Sequence, residues 1–330
     1  MTENLETSLQ EDVLIETEEK PKHKWNVCTI LKFVLRILLG AFFIATAVMK
    51  LLSLENFELY IYSFNIFSFA FSAVVARAVI ALELLFGALL IAKILYKQTW
   101  WLTMAMLCGF SLLLVYVAIF RHDSNCHCMG DIVELNPVLS IVKNLIMMAL
   151  LLIIRKESDY VFKGKVAVGI AILLASIAAP YALFPTDSVY ELFAKDRKIL
   201  NEQNFDTFMQ DSLTQTLNVD EGNFIFGYVA AGCQFCKLGT HKLKSIVDKH
   251  GLDNQKVVYF IWGKEDMIAD FKKETEATAF RYVEINPIQS IQITNGAFPT
   301  FVFVQNGKIM KVADLKGLDE KYIVSFIGKY

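Results

Sequence analysis

The sequence predicts a polytopic α-helical membrane domain followed by a separate α/β domain. Hydrophobic residues make up 55% of the 330-residue chain, and several apolar runs reach the roughly 18–20 residues that an α-helix needs to cross a bilayer. After Pro185 these runs stop, and short apolar segments alternate with amphipathic ones, as in a soluble α/β domain. The net charge of −2 gives no indication of nucleic-acid binding.

The apolar runs divide the chain into five parts. Residues 1–26 are acidic at first and lack hydrophobic periodicity, so we expect a largely disordered tail. Runs at about 27–52, 71–95, 100–120 and 137–154 predict a four-helix membrane domain over 27–156, with the aromatic-rich segment 53–70 lying at the membrane surface. A fifth transmembrane helix at 165–185, a partly helical linker at 186–221 and the α/β domain at 222–330 complete the prediction.

Basic residues indicate the orientation of the spans. Cytoplasmic connections are enriched in lysine and arginine. With five spans and a cytoplasmic N-terminus, the basic clusters all fall on the cytoplasmic side: Lys20, Lys22, Lys24, Lys93, Lys97, Arg155, Lys156, Lys163 and Lys165. The connection after the third span and the α/β domain then lie on the opposite side. We therefore expect a multi-pass protein of a bacterial inner membrane with a periplasmic C-terminal domain.

One cysteine pair lies in the α/β domain. Cys233 and Cys236 form a Cys-x-x-Cys between a predicted buried strand and a predicted helix. At a helix N-terminus the dipole and the free amides favour a thiolate at the first cysteine, and the second can resolve a mixed disulfide. A structural disulfide or half of a zinc site is the alternative.

A second pair lies between the third and fourth spans, in Cys126-His127-Cys128, which we call the Cys-His-Cys loop. A disulfide between residues i and i+2 requires the chain to bend, and Gly130 could help. Such a strained disulfide is easily reduced, and His127 could lower a thiol pKa or relay a proton. A structural disulfide and free thiols both stay open.

The C-terminal pattern resembles the thioredoxin-like family over residues 222–328. Besides the cysteine pair, the matching feature is Phe298-Pro299-Thr300 ahead of a strand hairpin. The resemblance implies that Pro299 forms a cis peptide bond and packs against the cysteine pair. Gly232 stands where the family usually has tryptophan, and Gln-Phe replaces the common Gly-Pro between the cysteines. These departures leave the direction of electron flow open.

Residues 31–156 resemble the MauE/DoxX group of redox-associated membrane proteins. The matching residues are Arg36, Gly40, Met49, Lys50, Leu51, Phe57, Glu83, Gly87, Cys126, Cys128 and Gly130. The resemblance implies a four-helix bundle that supports periplasmic disulfide chemistry, by analogy with quinone-linked thiol oxidases. A quinone is therefore the expected cofactor, and no metal is expected.

Ionisable side chains within the spans are costly and need partners. At the rise of an α-helix, Arg36 and Glu83 lie roughly 14 and 18 Å from the cytoplasmic end of their spans, so we expect them to pair. Lys50 and Arg77 lie near the outer end, level with the Cys-His-Cys loop. They are candidate contacts of a thiolate or a quinone, with helix–helix contact or snorkelling as the alternative.

These features predict a membrane-anchored thiol–disulfide oxidoreductase. Its expected partners are periplasmic thiol or disulfide client proteins and the lipid bilayer. The expected catalytic residues are Cys233, Cys236, Cys126, Cys128, Pro299 and His127.

Two alternatives stay open. A relay that exports reductant would need thiols across the membrane, but Cys28 and Cys108 differ in depth by on the order of 10 Å and are expected to be core thiols. The other alternative is a non-catalytic membrane assembly or maturation subunit, in which the cysteines are only structural.

Overall fold

The computed structural model of the chain describes residues 27–121, 125–130, 133, 135–155, 163–187, 199–211, 217–219 and 221–328. The expected disordered tail and part of the expected linker lie outside these residues. Within them the predicted fold class is confirmed, because a bundle of apolar helices precedes an α/β domain of the thioredoxin-like type.

The membrane part consists of six helices within the described residues. They are α1 Val27–Leu52, α2 Leu54–Tyr62, α3 Phe69–Ala92, α4 Tyr96–Tyr116 with a π-helical end at Val117–Arg121, α5 Pro137–Ile153 and α6 Lys165–Leu183. Helices α1, α3, α4 with its π-helical end, and α6 are long and apolar enough to cross a membrane, whereas α5 is shorter, with 17 residues. Helix α2 occupies the aromatic-rich segment that was expected at the membrane surface.

Helices α1 and α3 cross at two glycines. A Cβ atom on Gly87 would lie 2.7 Å from the backbone oxygen of Gly40, and a Cβ atom on Gly40 would lie 2.7 Å from the oxygen of Gly87. Small residues let membrane helices approach closely enough for their backbones to touch. This explains why both glycines appear in the family pattern, one turn after Arg36 and Glu83 respectively.

The α/β domain contains a five-stranded sheet in the order β3-β2-β1-β4-β5. Strand β1 (Asn223–Ala230) runs parallel to β2 (Val257–Trp262) and antiparallel to β4 (Thr300–Gln305). Strands β3 (Arg281–Glu284) and β5 (Lys308–Ala313) form the edges. Its helices are α7 Glu202–Met209, α8 Gln234–Lys249, α9 Glu265–Glu274, α10 Pro287–Thr294 and α11 Glu320–Ile327.

Two of these helices add to the predicted order. Helix α7 lies in the expected linker, but Phe205 and Phe208 are fully buried against the sheet, so it belongs to the core of the α/β domain. Helix α10 was not predicted. Its start was readable, since the side chain of Asn286 accepts a hydrogen bond from the amide of Ile288 and Pro287 occupies the first turn.

The α/β domain docks on α2 and on the start of α3. Leu59, Tyr62 and Phe69 share one hydrophobic core with the sheet. At its edge the Glu320 carboxylate accepts hydrogen bonds from the Tyr62 hydroxyl (2.8 Å) and the Phe69 amide (2.6 Å). Lys249 donates a further hydrogen bond to the Phe67 carbonyl just before α3, and Lys242 pairs with Asp187 just after α6. The α/β domain and the Cys-His-Cys loop therefore lie at the same end of the bundle.

The glycine crossing makes a testable prediction. Gly87→Ala forces a methyl group against the Gly40 carbonyl, and overpacking of this kind costs about 1–3 kcal/mol. We expect a lower midpoint of thermal unfolding in detergent. Gly109→Ala in α4 is the matched control, because no atom lies within 4 Å of its Cβ position. Equal midpoints for the two variants would contradict a close crossing.

The docking contacts make a second prediction. Removing the Glu320 carboxylate leaves the Phe69 amide without its acceptor, and a hydrogen bond to a charged group contributes about 1.5–3 kcal/mol. Glu320→Ala should therefore speed hydrogen exchange of the amides around Phe69 about tenfold or more. Lys321→Ala, at an exposed neighbouring position, should leave that exchange unchanged. Protection of these amides in Glu320→Ala would rule out the docking contact.

Candidate functional site

The Cys-x-x-Cys lies where β1 meets α8. Cys233 is the N-cap residue of α8, and its sulfur accepts a hydrogen bond from the Cys236 amide at 3.3 Å. A second hydrogen bond, from the Cys236 side chain, lowers the pKa of Cys233 to about 6, although partial burial opposes this. Donating that proton raises the pKa of the buried Cys236. Cys233 thus occupies the helix-start position that was predicted, where a thiolate is favoured, and its role as the nucleophile stays a prediction.

The loop before β4 packs against this pair's helix. The Phe298–Pro299 peptide bond is cis, as the resemblance implied. A Cβ atom on Gly239, one turn after Cys236, would lie 3.1 Å from the Pro299 ring. Glycine at this position therefore lets α8 lie against the proline ring without a tight side-chain contact. The catalytic role of Pro299 stays a prediction.

The Cys-His-Cys loop is tightly bent. All six cysteines of the chain are free thiols. His127 adopts a left-handed backbone conformation (φ 50°), so the bend that a Cys126–Cys128 bond requires lies at the histidine itself and not only at Gly130. Gly130 has φ 66°, and a Cβ atom there would lie 2.5 Å from the Met49 carbonyl. The loop is thereby held against the end of α1.

Cys126 and Cys128 differ in pKa in the same sense as Cys233 and Cys236: the pKa of the first cysteine is lowered and that of the second is raised. Cys126 is buried and lies 3.0 Å from the Ser140 hydroxyl of α5. A hydrogen bond from the Cys128 thiol lowers the pKa of Cys126 to about 6 against the effect of burial, with further help from Ser140 and from the charge of Lys143. The pKa of Cys128 is raised, because it donates that proton and is itself partly buried.

A cleft of about 1250 Å³ separates the Cys-His-Cys loop from the start of α8. Asn125 and His127 line it on the membrane side, and Gln234, Phe235 and His241 line it on the α/β side. The His127 ring lies 5.0 Å from the Tyr60 ring, which also lines the cleft. Residues next to both cysteine pairs therefore line one open cleft between the two domains, although no cysteine is itself among its lining residues.

A second cavity, of about 290 Å³, lies inside the bundle on the other face of the Cys-His-Cys loop. Cys126 and Cys128 line it together with aromatic and aliphatic side chains. Its polar lining residues are Thr46, Lys50, Tyr60, Glu83, Lys143 and Asn144. The Cys-His-Cys loop thus separates the cleft from the cavity: His127 lines the cleft, and Cys126 and Cys128 line the cavity.

The expected Arg36–Glu83 pair is wrong. Glu83 accepts hydrogen bonds from Lys50 with both oxygens, at 2.7 and 2.8 Å. Arg36 instead donates to the carbonyls of Leu90 (2.6 Å) and Ile91 (2.7 Å), at the C-terminal end of α3. The unsatisfied carbonyls of a helix end carry partial negative charge and can hold a cation in place of a carboxylate.

The two basic candidates for cofactor contacts have different positions. Lys50 lines the cavity beside the two thiols, at the level that was predicted. Arg77 is not among the lining residues. It forms an ion pair with Glu58 and donates hydrogen bonds to the carbonyls of Phe184 and Pro185. Arg77 therefore joins α2 and α3 to the end of α6.

The expectation that Cys28 and Cys108 are core thiols is wrong. Both are exposed on the outside of the bundle. Their apolar neighbours in the sequence indicate a lipid-facing surface equally well, because the outside of a membrane helix is as apolar as a protein core.

The comparisons with known proteins agree with this architecture. Residues 28–155 match the family of methylamine utilisation protein MauE. Protein TlpB of Flavobacterium psychrophilum is 24% identical over 334 aligned residues, which cover 85% of this chain and 90% of that protein. Residues 28–155 are a MauE-type membrane domain, and a thioredoxin-like domain follows it. No solved structure matches it significantly.

The MauE-type domain contributes site residues that the sequence did not reveal. Lys143 and Asn144 lie on α5 and line the cavity. They are two adjacent polar residues within an apolar span, and two residues are too few to show a helical periodicity. In the thioredoxin-like domain, His241 faces the cleft one turn beyond Lys237. Its pKa is lowered by burial, which keeps the ring neutral near pH 7. Gln234, inside the Cys-x-x-Cys, lies seven residues earlier on the same helix face, so helical spacing from it could have identified His241.

The lowered pKa of Cys233 makes a prediction about reactivity. A thiolate, not a thiol, reacts with iodoacetamide, so the alkylation rate of Cys233 in the reduced protein should rise with a midpoint near pH 6. Cys236→Ala removes the principal hydrogen-bond donor and should raise that midpoint toward the ordinary thiol value. Cys108→Ala, a cysteine replacement in the membrane, should not move it. A midpoint near pH 9 in the parent protein would show that Cys233 is not activated.

Proposed function

We propose that this protein is a membrane-anchored thiol–disulfide oxidoreductase that transfers electrons between client proteins, Cys233–Cys236 and Cys126–Cys128. The observation that carries the proposal is the shared cleft, which is lined by His127 between the two loop cysteines and by Gln234 and Phe235 between Cys233 and Cys236. A helix-start cysteine with a pKa of about 6 supplies the nucleophile. Tethering the two pairs in one chain raises their effective concentration.

The first reaction is with the client. A client thiolate attacks the Cys233 sulfur of the Cys233–Cys236 disulfide and forms a mixed disulfide, releasing Cys236. The second client thiol then attacks the client sulfur of that bond and expels Cys233 as a thiolate. The client leaves as a disulfide, and Cys233 and Cys236 hold the two electrons.

The second reaction is with the Cys-His-Cys loop. The Cys233 thiolate attacks Cys128, because Cys128 is the less buried of the two sulfurs and Cys126, with a pKa of about 6, is the better leaving group. Cys236 then attacks Cys233 and expels Cys128. The Cys233–Cys236 disulfide is formed again, and the two electrons lie on Cys126 and Cys128.

The cavity in the bundle fits a quinone headgroup. Its lining is mainly aromatic and aliphatic, as is usual for small-molecule sites. Phe42, Phe57 and Phe110 would pack against the ring, while Lys50 and Asn144 offer polar groups for its oxygens. A bound quinone supplies a two-electron, two-proton acceptor. The thiols that line the same cavity would deliver those electrons.

The orientation follows the charges. Lys93, Lys97, Arg155, Lys163 and Lys165 lie at the end of the bundle opposite the thioredoxin-like domain, and the positive-inside rule makes that end cytoplasmic. In a bacterial inner membrane, the cleft and its client proteins would then be periplasmic.

Cross-linking of defined cysteine pairs tests the proposed route. In a background lacking Cys28 and Cys108, Cys126→Ala/Cys236→Ala leaves only Cys128 and Cys233. Under mild oxidation we expect these two to link, and mass spectrometry of the digested membrane protein identifies the joined peptides.

The matched variant Cys128→Ala/Cys236→Ala leaves the buried Cys126 in place of Cys128 and should give several-fold less cross-link. The absence of a link in both variants would remove the proposed route and favour a non-catalytic role. An equal yield would contradict Cys128 as the attacked sulfur.

A further inference from the structure

The cavity lining contains one more cation than anion when both cysteines of the Cys-His-Cys loop are neutral. Among the described lining residues the ionisable groups, apart from Tyr60, are Lys50, Glu83, Lys143, Cys126 and Cys128. Lys50 and Glu83 neutralise each other through two short hydrogen bonds. Lys143 remains as the additional positive charge, and a charge within a membrane domain requires compensation.

Lys143 lies on the face of α5 that is turned toward the thiols. Residues three apart on a helix share a face, and Ser140, three residues earlier, lies 3.0 Å from the Cys126 sulfur. Asn144, the next residue, is buried and lines the same cavity. The charge of Lys143 acts on both thiols of the loop.

We propose that Lys143 is a positioning residue for the Cys-His-Cys loop, and that its ammonium group balances the Cys126 thiolate of the reduced pair. With one thiolate present the charges of the cavity lining sum to zero: two lysines against Glu83 and Cys126. With a Cys126–Cys128 disulfide the lining carries one uncompensated positive charge. The inference rests on the proposed function, since it concerns the same cysteine pair.

This charge balance has a consequence for electron transfer. Opening the Cys126–Cys128 disulfide by attack of Cys233 creates a negative charge on Cys126, where Lys143 attracts it. Lys143 therefore shifts the electron equilibrium between the two pairs toward the Cys-His-Cys loop. Among the described groups, the charges facing Cys126 come from Lys143 on α5, Lys50 on α1 and Glu83 on α3, and Cys128 donates a hydrogen bond to it. Only Lys143 is not already bound by a carboxylate.

Alkylation of Cys126 tests the inference. The full chain, with Cys28, Cys108, Cys233 and Cys236 replaced by alanine, is reduced in detergent, and iodoacetamide labelling of Cys126 is followed against pH by fragment mass spectrometry. The parent midpoint is expected near pH 6. Lys143→Met should move the midpoint upward and slow labelling at pH 6 about fivefold to tenfold, whereas Lys143→Arg should keep both at the parent values.

Two further variants distinguish loss of the Lys143 charge from structural disruption caused by the substitution. Lys97→Met removes a lysine at the other end of the bundle and should change nothing. Lys143→Gln, which keeps a polar side chain, should shift the midpoint in the same direction as Lys143→Met if the charge is responsible. An unchanged midpoint in Lys143→Met and Lys143→Gln, or an equal shift in Lys143→Arg, would overturn the inference.

This outcome is distinguishable from failure of the proposed function. The labelling assay needs neither electron transfer nor the thioredoxin-like cysteines, whereas the Cys128–Cys233 cross-link does not depend on the charge at position 143. In the otherwise intact protein, Lys143→Met should also leave a larger fraction of the loop oxidised when both pairs reach equilibrium. An unaltered fraction would contradict the proposed effect on electron transfer.

Discussion

The ion pair between Lys50 and Glu83 is the constraint on which the membrane domain depends. Both side chains are buried, and in an apolar bundle neither charge is tolerated without the other. Their hydrogen bonds hold α1 and α3 together, and the close approach of Gly40 and Gly87 brings the same two helices together further inward. The Lys50–Glu83 ion pair therefore fixes the axial alignment of α1 and α3 next to the cavity that both residues line.

From this ion pair toward the aqueous side, the cavity, the Cys-His-Cys loop and the cleft follow one another. The thiols of the Cys-His-Cys loop cover the cavity, His127 begins the cleft, and the start of α8 closes it. Each cysteine pair contains one thiol of low pKa and one of high pKa. The two pairs are thus alike, because each holds one thiol that favours the thiolate beside one that stays protonated. Tyr62 and Phe69 belong to the membrane domain but pack in the same core as the sheet, which holds the α/β domain next to the Cys-His-Cys loop.

Features with local causes could be predicted from the sequence, and those with long-range causes could not. The apolar helices, the strands of the sheet and the helix-start position of Cys233 follow from periodicity and capping, and the structure shows all three, although α5 is shorter than a full span. The partner of Glu83 was misjudged because depth along a helix says nothing about which side of the helix a residue faces. Lys143 was missed for the same reason. The docking of α2 on the sheet joins residues about 250 positions apart, such as Tyr62 and Glu320, and no local pattern encodes it.

The close approach of Gly130 to α1 has a kinetic meaning. A side chain at position 130 would meet the Met49 carbonyl, so the loop packs directly on the last turn of α1. In the proposed reaction, the thioredoxin-like domain would then be the part that moves, leaving its docked position on α2 to reach a client and returning to deliver the electrons. Turnover would then depend on the lifetime of the docked state. Weakening the docking contacts would speed the cycle, even though it lowers the affinity between the two domains.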